Sequence, residues 1–328
     1  MPSNLTPAPA PRRLLLVSLD NLGDLVFASA LTPPLHRHFP GVAITLWCKQ
    51  YTRDIAALVP GVQEVIASDP YWDRAPGHGR GGRVAFALAQ WRVRRGRFDT
   101  ALLAAAPWRT ARAVAHCGIP ARIGLERRKN ARWLTHGLDA EDMHRPVLAE
   151  EARLLTALGI ADPEPLQYRL DASRLPARPD MDRALGGRIV ALHPFASKRS
   201  RCVPVPIWLD VARELQRHGL APLWLGSTPE LNEVRAASPG AAWIYVDQFG
   251  TRLVDSAAAI ARASLFIGHD SGPLHVAGGL GVPVLGIFAP GEPDRTFPQG
   301  VGPSRMIARP SPDGITAAQI VAEALAVG

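Results

Sequence analysis

Three short stretches of this 328-residue chain carry side chains of the kinds that move protons and hold phosphates. The first is SLDNLGDLVF, Ser18 to Phe27, where Asp24 follows a glycine at a strand-to-helix turn. A carboxylate held there can take a proton from a substrate hydroxyl. The same position also suits a carboxylate that only complements the positive end of a helix, a role worth up to about 1 kcal/mol, with Asp20 or Asn21 as the cap. Taken alone, the capping role is the simpler account. This stretch contains no GxGxxG, so a nicotinamide or flavin fingerprint is absent from it and a redox reading loses its main support.

The second stretch is ALHPFASKRSR, Ala191 to Arg201, in which Ser197, Lys198, Arg199 and Arg201 offer hydroxyl and cationic donors suited to a diphosphate. A solvated basic loop would read the same way. The third, Ser264 to Arg295, is the most informative. Its HDSGP places Asp270, Ser271 and Gly272 at the start of a helix near Pro273, where free amides and the helix dipole attract a phosphate. Glycine there lets the backbone approach an anion closely. His269 and His275 lie six apart, which is not the i, i+4 pairing of a helical metal site, and no metal is assigned to them.

These residues need elements to position them, and the chain supplies an alternation of strands and helices. Apolar runs at 14–19, 42–47, 62–66 and 100–104 read as strands. Amphipathic stretches follow, including 25–39, broken by Pro33 and Pro34, and 52–59. The segment Arg83 to Arg95 reads as a basic amphipathic helix with Val84, Ala87, Leu88 and Trp91 on one side. A proline-rich stretch over 162–187 fits a linker, after which the alternation restarts at 188–192 and runs to a closing helix at 316–326. The expected fold is α/β, with two Rossmann-like parallel-sheet domains facing across a cleft. The expected bounds are a loose tail at 1–13, a first domain at 14–170, a linker at 171–186 and a second domain at 187–328, whose final helix can pack back on the first domain.

Composition limits the alternatives. With 47% hydrophobic and 20% charged residues the chain has ample apolar material for two cores. No run of about 18 apolar residues occurs, and the Pro/Ala-rich start lacks the apolar centre of a secretion signal, so a cytoplasmic protein is expected, peripheral at most on the inner face of the membrane. Cys48, Cys117 and Cys202 are far apart and form no CxxC pair, so they read as buried thiols rather than a disulfide framework or a zinc site. The net charge of +8 calls for anionic partners. Arginine is dense over 80–97 and 122–132, and Arg92 and Arg95, beside Asn21 of the first motif, are candidates to hold a phosphorylated co-substrate or to meet a membrane surface. A solvated helix face is the competing account. No recognised RNA- or DNA-binding signature accompanies the charge, so nucleic acid is not expected as a partner.

With these motifs in place, the sequence resembles the family 9 glycosyltransferases, the heptosyltransferases that use ADP-heptose in lipopolysaccharide core assembly. The resemblance rests on SLDNLGD at 18–24, HPFAS at 193–197 and GHDSGPLHVAGGLGVPVLGIFAP at 268–290. It implies a GT-B fold, an ADP-sugar donor on the C-terminal domain, inversion at the anomeric carbon, an anionic glycolipid acceptor and no cofactor; it leaves a divalent metal open. Residue by residue, it implies Asp24 as general base, Ser197, Lys198 and Arg201 in the diphosphate loop, and Asp270, Ser271, Gly272 and His275 on the donor's sugar and phosphates. Glu230, in GSTPE, resembles an acidic position that holds the nucleoside ribose. The chain departs from the family pattern at Ser18, often Arg or Lys, at Ala30, usually Pro, and at Val203-Pro204, where Trp-Pro is usual. Two other functions remain in view: a GT-B transferase using another nucleotide sugar for a natural product, protein or lipid, and a non-catalytic sugar-nucleotide-binding protein.

Overall fold

A computed structural model of the chain describes residues 7–73, 81–104, 107–127, 129–139, 145–161, 163–177, 188–238 and 252–327. The chain divides into two compact units, Met1–Tyr168 and Arg169–Gly328. Arg80, at the head of the first arginine-dense stretch, and the expected linker beyond residue 177 lie outside the described residues.

The first unit is built on six strands: β1 (Arg13–Ser18), β2 (Ala43–Cys48), β3 (Val62–Ala67), β4 (Thr100–Leu103), β5 (Ala121–Glu126) and β6 (His136–Asp139). Their order is β3-β2-β1-β4-β5-β6, and every pairing is parallel. The near-continuous apolar runs follow from this arrangement, because a parallel strand is buried on both faces; Leu14 to Val17 are fully buried. Helices α1 (Leu22–Ala28), α2 (Thr32–His38), α3 (Arg53–Ala56), α4 (Arg83–Arg95), α5 (Trp108–His116) and α6 (Val147–Thr156) connect and cover the sheet. The 25–39 stretch is interrupted as expected: α1 ends at Ala28, a 3-10 turn covers Ser29–Leu31, and α2 starts afresh at Thr32, so Pro33 and Pro34 open the second helix rather than kink a continuous one. They occupy the first turn of α2, where a missing N–H costs nothing.

Two expectations are corrected. The tail expected to be loose through residue 13 is docked from Ala8 onward: Ala8 is buried, its N–H donates to the Ala157 carbonyl at 2.8 Å, and β1 begins at Arg13. The arginine-dense stretch at 122–132 opens with strand β5, and Arg122 is spent inside the fold, its guanidinium donating to the Trp133 and Ile119 carbonyls at 2.7 and 2.6 Å.

The second unit has five strands: β7 (Arg188–His193), β8 (Leu220–Trp224), β9 (Leu265–His269), β10 (Val284–Phe288) and β11 (Ser304–Ala308). The order is β11-β10-β9-β7-β8, again parallel throughout. Helices α7 (Val205–Arg217), α8 (Thr228–Ala237), α9 (Leu253–Ile260), α10 (Gly272–Gly279), α11 (Pro293–Thr296) and α12 (Ala317–Leu325) belong to this unit. Its core gathers Trp208, Trp224, Phe195 and Leu285 with Ile320 and Val321 of α12, so the closing helix packs within its own unit. Small residues matter where the backbone crowds: a Cβ on Gly268 would lie 2.9 Å from the His193 carbonyl oxygen.

Candidate functional site

In an open parallel sheet, ligands bind outside the carboxyl ends of the strands where the strand order reverses. The first sheet reverses between β1 and β4, and the second between β7 and β9. The SLDNLGD turn leaves the carboxyl end of β1. HPFAS leaves β7 and HDSGP leaves β9, with His193 paired in register with Gly268. All three motifs therefore fall at a switch point of their own sheet.

At the first, Asp24 is the third residue of α1 and Asn21 its N-cap, in a capping-box arrangement. The Asn21 N–H donates to Asp24 Oδ2 at 3.2 Å. The capping role is thus real, but it does not exhaust the carboxyl. Burial, and then the charge of Asp20, push Asp24 up to about 6, against the Asn21 N–H, its own backbone N–H and Lys49. A carboxylate with that pKa is ionised at neutral pH yet basic enough to accept a proton. Asn21 itself is exposed at the turn.

Two side chains around Asp24 escaped the sequence reading. Lys49, just past β2, is 1% exposed and pairs with Asp73 at 2.8 Å. Glu151, on α6, is buried, and burial followed by the Asp24 charge pushes it up to about 8, leaving it protonated near neutral pH. The only signal for either was a charge interrupting an apolar pattern, in WCK after β2 and in LAEEARLL within α6.

At the second switch point the residues are tied together. Ser271 is the N-cap of α10; its hydroxyl donates to the His269 carbonyl at 3.1 Å and lies 3.3 Å from His193 Nδ1. His269 Nε2 accepts the Val203 N–H at 3.1 Å, which fastens the end of the HPFAS loop to β9. Burial pushes both His193 and His269 down to about 4, so both rings are neutral at neutral pH. Asp270 Oδ2 accepts from the Thr296 hydroxyl at 3.2 Å, and its Oδ1 lies 3.6 Å from His275 Nε2. Attraction for an anion therefore comes from the first-turn amides of α10 and from the loop cations rather than from histidine.

In that loop Arg199 is committed, paired with Glu233 and lying 5.1 Å over the Phe195 ring. Ser197 and Lys198 are exposed, and Arg201 is half-buried. Glu230 is the third residue of α8, and its Oε2 accepts both the N–H and the hydroxyl of Ser227 at 2.6 and 2.7 Å. It caps that helix, and its charge reaches His193. Among the described residues, no group of three or more His, Cys, Asp or Glu is placed to hold a metal ion.

Arg92 and Arg95 are not brought to Asp24. They lie in the last turn of α4, which runs back toward the amino edge of its sheet. That end is pinned where β1 begins, by the Arg13 Nε donating to the Gly96 carbonyl at 2.8 Å. The physical reason is the crossover itself: a helix leaving the carboxyl end of β3 must deliver the chain to the start of β4.

Two parallel α/β units, each with its motifs at a switch point, are the architecture of the GT-B fold, and the comparisons with known proteins supply the class, a glycosyltransferase. Residues 86–310 match the family model for glycosyltransferase family 9 (heptosyltransferase). The chain belongs to that family. Asp24 lies ahead of the matched segment, while the residues of the second switch point lie inside it. The lipopolysaccharide core heptosyltransferase OpsX of Haemophilus influenzae is 22% identical over 300 residues, 88% of this chain and 82% of that protein. Among solved structures, a family 9 glycosyltransferase of Veillonella parvula has a TM-score of 0.81 at 17% identity, covering 96% of this chain and 97% of that one. The E. coli heptosyltransferase WaaC with ADP has a TM-score of 0.79 at 16% identity, covering 96% and 100%. E. coli ADP-heptose lipopolysaccharide heptosyltransferase II follows with a TM-score of 0.78 at 20% identity, covering 96% and 98%.

Proposed function

We propose that the chain transfers a heptose from an ADP-sugar to a hydroxyl of a lipopolysaccharide-core acceptor, in the cytoplasm and with inversion at the anomeric carbon. The observation that carries the reading is the pairing of chemistries at the two switch points: a carboxyl tuned to about 6 on one sheet, and a helix start whose first-turn amides no N-cap side chain takes, beside free cations, on the other. The donor class is supported by WaaC, solved with ADP and with ADP-2-deoxy-2-fluoro heptose. The acceptor class is supported by the lipopolysaccharide core heptosyltransferase it resembles.

In this mechanism Asp24 accepts the proton of the acceptor hydroxyl as that oxygen attacks the anomeric carbon from the face opposite the diphosphate. The bond from the anomeric carbon to the diphosphate oxygen breaks, and ADP carries away the electron pair. Charge grows on the departing diphosphate in the transition state, so donors aimed there lower the barrier selectively. Lys198, Arg201 and the Ser271–Gly272 helix start fill that role, Ser197 lines the same loop, and Asp270 and His275 orient the sugar. Glu230 takes the ribose with the oxygen not used by Ser227. Asn21, exposed beside Asp24, meets the acceptor. The reading requires the carboxyl edges of both sheets to serve the same pair of reactants.

The test is release of the donor's nucleoside diphosphate, ADP or UDP, with a panel of ADP-heptose, ADP-glucose and UDP-sugars, each with lipopolysaccharide-core and soluble acceptors. Turnover only with ADP-heptose and a core acceptor supports the reading. Turnover with a UDP-sugar would replace the donor assignment, and binding of ADP-heptose without product from any acceptor would make the chain a sugar-nucleotide-binding protein.

A further inference from the structure

Helix α4 has two apolar faces. Phe86, Ala89 and Val93 face the first sheet and are buried, Phe86 stacking on Trp47 at 5.4 Å. That is the side that holds the helix in the fold. Val84, Leu88 and Trp91, at i, i+4 and i+7, form a second stripe on the opposite side and are 75%, 59% and 54% exposed. Together with Tyr71 nearby, they make up four of the seven large hydrophobic residues exposed among the described residues. Exposed apolar side chains scattered singly need no explanation, but a stripe along a single helix does.

The charge around the stripe shows what it fits. Arg95 continues the stripe one turn further, its guanidinium 4.9 Å over the Trp91 ring. Arg92 and Arg94 flank it and are exposed, and at the other end of the helix Arg83 lies 5.4 Å over the Tyr71 ring. Between Asp73 and Asp99 the sequence holds no acidic residue. The outer face of α4 is thus apolar along its axis and cationic along both flanks, and the helix itself carries no acidic residue.

We propose that this outer face docks on the anionic surface of a lipid bilayer. The helix lies in the interface plane, with Val84, Leu88 and Trp91 entering the boundary between headgroups and acyl chains and the arginines reaching out to lipid phosphates. Tryptophan suits that depth because its ring is apolar and its N–H polar. Thirteen residues give a contact about 20 Å long. No described helix is long and apolar enough to cross a membrane, so the contact is peripheral. The contact leaves the carboxyl edge of the first sheet open, because the arginine-rich end of α4 lies at the amino edge. The proposal stands on this face alone and does not depend on the identity of donor or acceptor.

The test is flotation of the full chain with vesicles of phosphatidylcholine alone and of phosphatidylcholine mixed with phosphatidylglycerol. Binding to the mixed vesicles only, with release near 1 M salt where the screening length falls to about 3 Å, is expected. Replacing Arg92, Arg94 and Arg95 together by Gln should weaken that binding roughly a hundredfold, at about fivefold per arginine. Leu88→Glu with Trp91→Ala should abolish it while leaving the thermal midpoint unchanged, since both side chains are exposed. Equal binding to both vesicle types, no binding to either, or wild-type binding by the triple variant overturns the proposal. So does an elution shift of Leu88→Glu to a smaller species without vesicle binding, which assigns the face to a second copy of the chain.

Discussion

Asp24→Asn separates the two roles that the structure gives this carboxyl. The substitution keeps the shape and an oxygen that can accept the Asn21 N–H, now 3.2 Å from Asp24 Oδ2, but it removes the charge and the basicity. The folded protein raises Asp24 from 3.8 to about 6, chiefly through burial. Between those values the native state holds a proton that the unfolded chain releases. The stability this contributes is fully present below about pH 4 and is lost as pH rises through about 6. Two pKa units correspond to about 3 kcal/mol at most. Urea unfolding of both proteins across that window should therefore show the variant gaining on wild type by up to about 3 kcal/mol between pH 4 and pH 7, after any fixed offset of about 1 kcal/mol from the altered cap. Over the same range kcat should fall by about 10²- to 10⁴-fold, with ADP affinity unchanged. A stability difference that does not change with pH, or turnover within tenfold of wild type, would refute the assignment.

Wild-type kcat/KM should rise through about pH 6 as Asp24 ionises, and Lys49→Met should move that limb to higher pH, because the Lys49 charge favours the ionised carboxyl; a limb that stays put would remove Lys49 from the site. Glu151 is raised to about 8 by burial and then by Asp24, so the stability it contributes is lost as pH rises through 8. Glu151→Gln should accordingly match wild type at pH 4 and exceed it by several kcal/mol at pH 9 in urea melts. Lys198→Met, at an exposed position, should leave the thermal midpoint alone and lower kcat by about 10²-fold, as expected for one lost donor to a developing charge. A pure KM effect would mean that Lys198 serves only ground-state binding.

The parallel sheets were legible because both-face burial writes itself as unbroken apolar runs, as in LLLV and LFIG. The second switch point was legible too, since its glycines and Ser271 are there for backbone reasons that sequence displays directly. Short strands β5, β6 and β11 and helices α5 and α6 are not legible in the sequence: ARIGLE breaks its apolar run with Arg122, which is satisfied by the Trp133 and Ile119 carbonyls, and SRMIA carries an exposed Arg305 on the edge strand β11. Lys49 and Glu151 stayed hidden for a different reason. Their roles depend on which strand neighbours β1 and which helix packs on α1, and both are long-range facts. The stripe on α4 was visible, but sequence periodicity ordinarily points such a stripe inward. Phe86, Ala89 and Val93 supply a second apolar face, and only packing decides between the two.

Transfer by a single displacement is best judged on the product itself. The one-bond carbon–hydrogen coupling at the anomeric carbon, measured by NMR on product made from ADP-heptose and a core acceptor, reads the configuration directly. With Asp24 as base and the diphosphate leaving from the opposite face, the configuration must be the reverse of the donor's. Retention would require a covalent intermediate or same-face attack, and would contradict the mechanism proposed for these residues.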